Sequence, residues 1–171
     1  MIDPHRDAQN HGTLENLIRH VPGFRGYLDR EERRDSDYLV RKWMADRLQQ
    51  CKQGLDDYLR TLVEAGKLDE LSPFEQFRTR LDGLINRIRS ADRGYSGLFD
   101  SIKVEEAELD QVYQLDIALM NDVTSLAESV EQIATTTDPP KNAATALLKK
   151  IADADQQLVK RGDLLKGLSQ H

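Results

Sequence analysis

The sequence predicts an all-α fold: an antiparallel bundle of four long amphipathic helices plus a short N-terminal helix. Two observations carry that expectation. Apolar residues recur three and four positions apart in four separate stretches, the period of one helix face. The chain is also rich in Leu, Ala, Glu, Lys, Arg, Asp and Gln, with only 10 Gly and 5 Pro in 171 residues, a composition that favours helices. Nothing reads as a strand.

Residues 1–12 hold Pro4, Asn10, Gly12 and two histidines without an apolar period, and read as a tail. Residues 13–171 read as one bundle domain. Thr13 is placed to cap a short helix from Leu14 to about His20, which Pro22-Gly23 stops. The first long helix runs from near Leu28 to Gly66. Its stripe is Met44, Leu48, Cys51, Leu55, Tyr58 and Leu62, spaced 4, 3, 4, 3, 4 and widened by Leu39, Val40 and Trp43. Gly66-Lys67 supplies a C-terminal stop.

Ser72-Pro73-Phe74-Glu75 offers a cap serine, a proline at the first helical position and a glutamate at the third. The helix it opens carries Phe74, Phe77, Leu81, Leu84 and Ile88 and fades near Asp92. A third long helix spans about Val104 to Ala134, with Glu105, Glu106 and Glu108 in the first turn, where the helix dipole favours negative charge. Its stripe is Leu109, Val112, Asp116, Leu119, Val123, Leu126, Val130 and Ile133. After Thr135-Thr136-Thr137, Asp138 caps and Pro139 opens a last helix with Leu147, Ile151, Ala154, Leu158, Leu165 and Leu168 inward.

Composition narrows the function classes. No stretch approaches the roughly 18–20 consecutive apolar residues of a membrane span. The opening Met1-Ile2-Asp3-Pro4-His5-Arg6 lacks a signal-peptide pattern, so the cytoplasm is the expected location. One cysteine, Cys51, excludes an internal disulfide. The net charge of −6, with no basic stripe, argues against nucleic acid. Segment 100–138 carries nearly all the excess acid, and Lys149, Lys150, Lys160, Arg161 and Lys166 of the last helix are its expected counterions.

Helix lengths point to one end of the bundle. The second long helix is about 30 Å long at 1.5 Å per residue, roughly half its predecessor. It should stop beside residues 43–48, so that residues 93–103 lie along 28–43. That segment contains Arg93-Gly94-Tyr95-Ser96-Gly97-Leu98-Phe99-Asp100, and Pro22-Gly23-Phe24-Arg25-Gly26-Tyr27 precedes the long helix. Both hold Arg-Gly-Tyr, two glycines and two aromatic rings. Two readings stand. The rings plug the bundle end near Tyr38 and Trp43, or Phe24, Arg25, Tyr27, Arg93, Tyr95, Phe99 and Asp100 form a partner-binding surface.

On these two motifs, Pro-Gly-aromatic-x-Gly-Tyr and Gly-Tyr-x-Gly-Leu-Phe-Asp, residues 20–134 resemble a group of helical bacterial proteins without an established activity. The resemblance implies a helical fold and no chemistry.

Catalytic sets are hard to assemble. His5, His11, His20 and His171 lie off the long helices, and none follows a glutamate by three, so a di-iron bundle site is not expected. Zinc lacks cysteines. Cys51 falls in the apolar stripe and reads as a core residue. No cofactor is expected. Asp116 is the polar residue inside an apolar stripe, and three readings apply. Tyr113, Ile117 and Met120 turn inward and leave it at the rim; or it pairs with an arginine such as Arg47, Arg87 or Arg93 and fixes helix register; or it is a catalytic carboxylate. The charge run from Asp29 to Asp37 reads as a solvated helix end, or else as a docking surface.

The expected function is a non-enzymatic protein-interaction or scaffold bundle with a protein partner, and with homo-oligomers or coiled-coil pairing open. One alternative is a membrane-surface accessory of an envelope-stress system. Another is a ligand binder or enzyme using Asp116 and Tyr95.

Overall fold

Local chemistry sets where each helix starts and stops. The computed structural model describes residues 14–91 and 103–168. These form α1 (residues 14–20), α2 (Arg30–Glu64), α3 (Leu71–Ser90), α4 (Glu106–Glu131) and α5 (Pro140–Gly167). Single 3-10 turns occupy Leu68–Glu70 and Ile133–Thr135, and the described residues contain no strand. The all-α expectation holds. The expected tail at 1–12 and the Thr13 cap lie outside the described residues.

At the start of α2 the Asp29 carboxylate accepts the Glu31 N–H at 2.9 Å. At its end Gly66 takes φ +71°. The Lys67 N–H donates to the Leu62 carbonyl at 2.9 Å and the Gly66 N–H to Val63 at 3.0 Å. That is the Schellman pair, and it confirms the stop read from Gly66-Lys67. Two helix starts differ from expectation. The 3-10 turn feeds straight into Leu71, so Ser72 is not a cap and Pro73 sits within the first turn, where a missing N–H costs nothing. Likewise α5 opens on Pro140, and the Pro139 carbonyl, not Asp138, receives the Asn142 and Ala143 N–H groups at 2.9 and 3.1 Å. At α4 the Glu108 carboxylate folds back onto the Glu105 N–H at 3.0 Å.

The predicted stripes become the core, with small shifts: Leu59 is buried where Tyr58 was expected, Tyr58 packs edge-on against Phe74, and Leu168 is only partly buried. The helices form a ring in which α2 touches α3 and α4, and α5 touches α3 and α4. Consecutive helices are antiparallel. Lys52 meets Asp82 at 2.6 Å while Asp56 meets Arg78 at 3.3 Å, and Lys150 meets Ser125 at 2.7 Å. Across the ring the neighbours run parallel. Arg47 clamps Glu131 at 2.6 and 2.9 Å near the end of α4, and a Cβ on Gly54 would lie 3.5 Å from the Glu131 backbone. The acidic α4 lies against the basic α5, as the charge pattern predicts.

α3 ends beside Arg41, whose guanidinium donates to the carbonyls of Ile88 at 3.3 Å and Arg89 at 2.8 Å. This is a few residues nearer the start of α2 than lengths alone predict.

Two glycines test the backbone argument in opposite directions. Gly66→Ala meets no atom within 4 Å but must hold a positive φ, so it should destabilise by about 1 kcal/mol in urea melts. Gly83, inside α3, also has nothing within 4 Å, and Gly83→Ala should stabilise by about 0.5–1 kcal/mol.

Candidate functional site

The stripe of α2 continues backwards from Met44 through Arg41, Asp37 and Arg33, and all three side chains are buried. Asp116 of α4 is 0% exposed, and Arg161 of α5 and Asp37 are 1% exposed. These residues meet at the end of the bundle where α2 begins. The Arg161 Nε donates to Asp116 Oδ1, and its second nitrogen donates to Asp37 Oδ1 at 2.7 Å. The other Asp37 oxygen accepts Arg41 Nε at 2.8 Å. Arg41 then reaches the last carbonyls of α3, so one chain of hydrogen bonds joins all four long helices.

Tyr27 closes the cluster from above. Its hydroxyl donates to Asp116 Oδ2 at 2.6 Å and accepts from Arg161 at 3.2 Å. Its N–H donates to the Tyr113 hydroxyl at 2.8 Å, and its carbonyl accepts Arg33 Nε at 2.8 Å. The Tyr27 and Tyr113 rings stack at 5.4 Å, with Phe24 edge-on to both. Glycine at 26 is required here, because a Cβ would come within 2.9 Å of the Tyr113 hydroxyl oxygen at φ +92°.

Burial works against every charge in the cluster. Desolvation raises the Asp116 carboxyl above the usual carboxylate range, and Arg161 and the Tyr27 hydroxyl offset this only in part. Desolvation also opposes the Arg161 charge, but Asp116 and Asp37 outweigh it and hold the guanidinium protonated. Burial lifts the Tyr27 phenol well above its ordinary value and, less strongly, the Tyr113 phenol. Within it, the ion-paired carboxylates of Asp37 and Asp116 and guanidiniums of Arg41 and Arg161 have formal charges that cancel, and Arg33 is held by the Tyr27 carbonyl.

The predicted site residues separate. Phe24 and Tyr27, read either as plugs of the bundle end or as part of a partner-facing surface, are buried, which fits the plug. Arg25 is at the surface in an exposed pair with Glu32 at 2.8 Å. Arg93, Tyr95, Phe99 and Asp100 lie outside the described residues. The rim reading of Asp116 is overturned, since it is fully buried alongside Tyr113. Its partner is Arg161, not Arg47, Arg87 or Arg93. Arg47 holds Glu131, Arg87 pairs with Asp155, and Arg93 is not described. The Asp29–Asp37 run is not wholly solvated either, because Arg33, Ser36 and Asp37 turn inward. Cys51 is buried in the core and its thiol donates to the Leu48 carbonyl at 3.1 Å. The burial of these partners carried a signal. Arg161 lies three after Leu158 and four before Leu165, on the inward stripe, and Asp37 and Arg41 are an i,i+4 pair.

Among the described residues, no group of three or more His, Cys, Asp or Glu side chains could hold a metal ion, and no helix is long and apolar enough to cross a membrane. Compared with known proteins, the chain matches no family model, no curated protein and no solved structure.

Removing Arg161 alone leaves the buried Asp116 without a counterion and Asp37 with Arg41 as its remaining one. Arg161→Met should cost about 3–5 kcal/mol in urea melts, and adding Asp116→Leu should recover part of that loss. An additive double variant would mean the pair is not coupled.

Alkaline pH gives a second test. The Cys51 thiol is pushed by burial from 9.0 to about 11, and both tyrosines are raised too. A group with a raised folded value contributes stability below its unfolded value and loses it as pH rises through the folded one. The urea midpoint should therefore fall from pH 9 towards 11, and Cys51→Ala should delay the onset to about pH 10, where tyrosines begin to ionise.

Proposed function

We propose that this chain is a non-catalytic helical module that binds another protein through the seam between α3 and α5. The observation that carries the reading is how open that seam is. Two grooves of about 480 and 260 Å³ lie in line along it and meet at Arg87. Leu84, Ile151 and Leu158 form the floor, and Gly83, Ala152 and Gly162 keep the walls low. Val159 stands 52% exposed at the edge. An apolar trough between helices is the shape that helix-in-groove recognition uses.

The chemistry of the interior supports the same reading. Asp37, Asp116 and Arg161 are the buried groups best suited to acid–base work, but they are bonded to one another and line neither groove. A molecule in the seam would meet Arg80 and the Arg87–Asp155 pair instead, which supply charge for orientation but no nucleophile beside a base.

Ala152→Glu and Val159→Glu test the seam. Both positions are exposed, so each variant should keep its helical circular dichroism and lie within about 0.5 kcal/mol of the parent. Cross-linking and affinity capture should then show a protein bound by the parent and lost by both variants, with a second copy of the chain counted as a partner. Retention of the same protein by both folded variants would move the interface off the seam.

A further inference from the structure

Residues 14–29 are attached to the bundle in an uneven way. Leu17, Val21, Phe24 and Tyr27 are buried. Most polar bonds of residues 14–24 are local: His20 to the Asn16 carbonyl, the Val21 N–H to Leu17, the Phe24 N–H to Val21. Arg25 reaches only α2, through its N–H to Ser36 Oγ at 3.3 Å and its side chain to Glu32. Among the described residues, the polar bonds between this segment and α4 and α5 run through Tyr27: hydroxyl to Asp116, hydroxyl from Arg161, N–H to Tyr113. On its N-terminal side stand two glycines at positive φ, Gly23 at +83° and Gly26 at +92°, and α2 begins three residues after it.

We propose that residues 14–29 are a strap that opens separately from the four-helix bundle, with Tyr27 as its latch. In the closed state the Tyr27 ring and hydroxyl shield the Asp116–Arg161–Asp37 cluster from water. When the strap lifts, Asp116 Oδ2, the Tyr113 hydroxyl and the Arg33 guanidinium exchange their bonds to it for water, while the Arg161 bonds to both aspartates remain. The helices therefore stay joined, and the opening exposes an end surface that is apolar around a charged centre.

Hydrogen exchange on the full chain tests this. The amides of Val21, Phe24, Arg25 and Tyr27 report the strap, and those of Leu48, Cys51, Leu126 and Leu158 report the bundle. Tyr27→Phe keeps the ring and deletes the hydroxyl bonded to a charged carboxylate. It should speed exchange of the strap amides by about ten- to a hundredfold and leave the bundle amides unchanged. Leu17→Ala, which loosens the other end of the strap, should speed the same set. Both amide sets accelerating equally in these variants would mean the strap opens only with the whole fold, and the proposal fails. No acceleration of the strap amides in Tyr27→Phe would remove Tyr27 as the latch and overturn it too.

Discussion

One guanidinium, that of Arg161, divides its hydrogen bonds between carboxylates on two other helices. Asp116 comes from α4 and Asp37 from α2, and Asp37 in turn holds Arg41, which closes on the end of α3. Apolar stripes alone would let these helices slide by a turn with little change in buried area. The cluster forbids this, because a slip of one turn, about 5.4 Å, would leave a buried charge without its counterion. Geometry at this end of the bundle is thus set by bonds of defined direction, and the rest of each helix follows.

That arrangement is costly in isolation. Desolvating charged side chains opposes folding, and apolar residues of similar volume often stabilise as well or better. What the cluster supplies is a demand for one register and one partner set. It also ties the N-terminal segment to the core, since Tyr27 is bonded to Asp116 and Arg161 through its hydroxyl and to Tyr113 through its backbone. Gly26 makes this possible by letting the backbone pass over the Tyr113 hydroxyl.

The opposite is true of the seam between α3 and α5. Small residues there leave shallow grooves, and the Arg87–Asp155 pair bridging them is at the surface, where such pairs contribute little. The molecule therefore combines a rigidly specified end with a loosely filled side. The buried polar groups of the cluster are thus bonded to one another at one end, while the grooves of this seam lie apart from them.

Helix identity, the inward stripes, the stop at Gly66, the short helix at 14–20 and the pairing of acidic α4 with basic α5 were all legible in the sequence, because they depend on residues close together along the chain. The 3-10 entry to α3 and the start of α5 shifted by a residue or a few, since competing caps within one turn differ by little energy. Asp116 could be singled out as a polar residue in an apolar stripe, but its partner could not. Residues 37, 116 and 161 are brought together only when three helices pack in one order. Read one helix at a time, Arg161 is a surface counterion and Asp37 belongs to a solvated charge run. Charged side chains are seldom buried unless paired, and the pairing is a property of the packed helices rather than of any one of them. Local periodicity determined the helices; tertiary packing decided which charges could be buried, because only there does each meet its opposite.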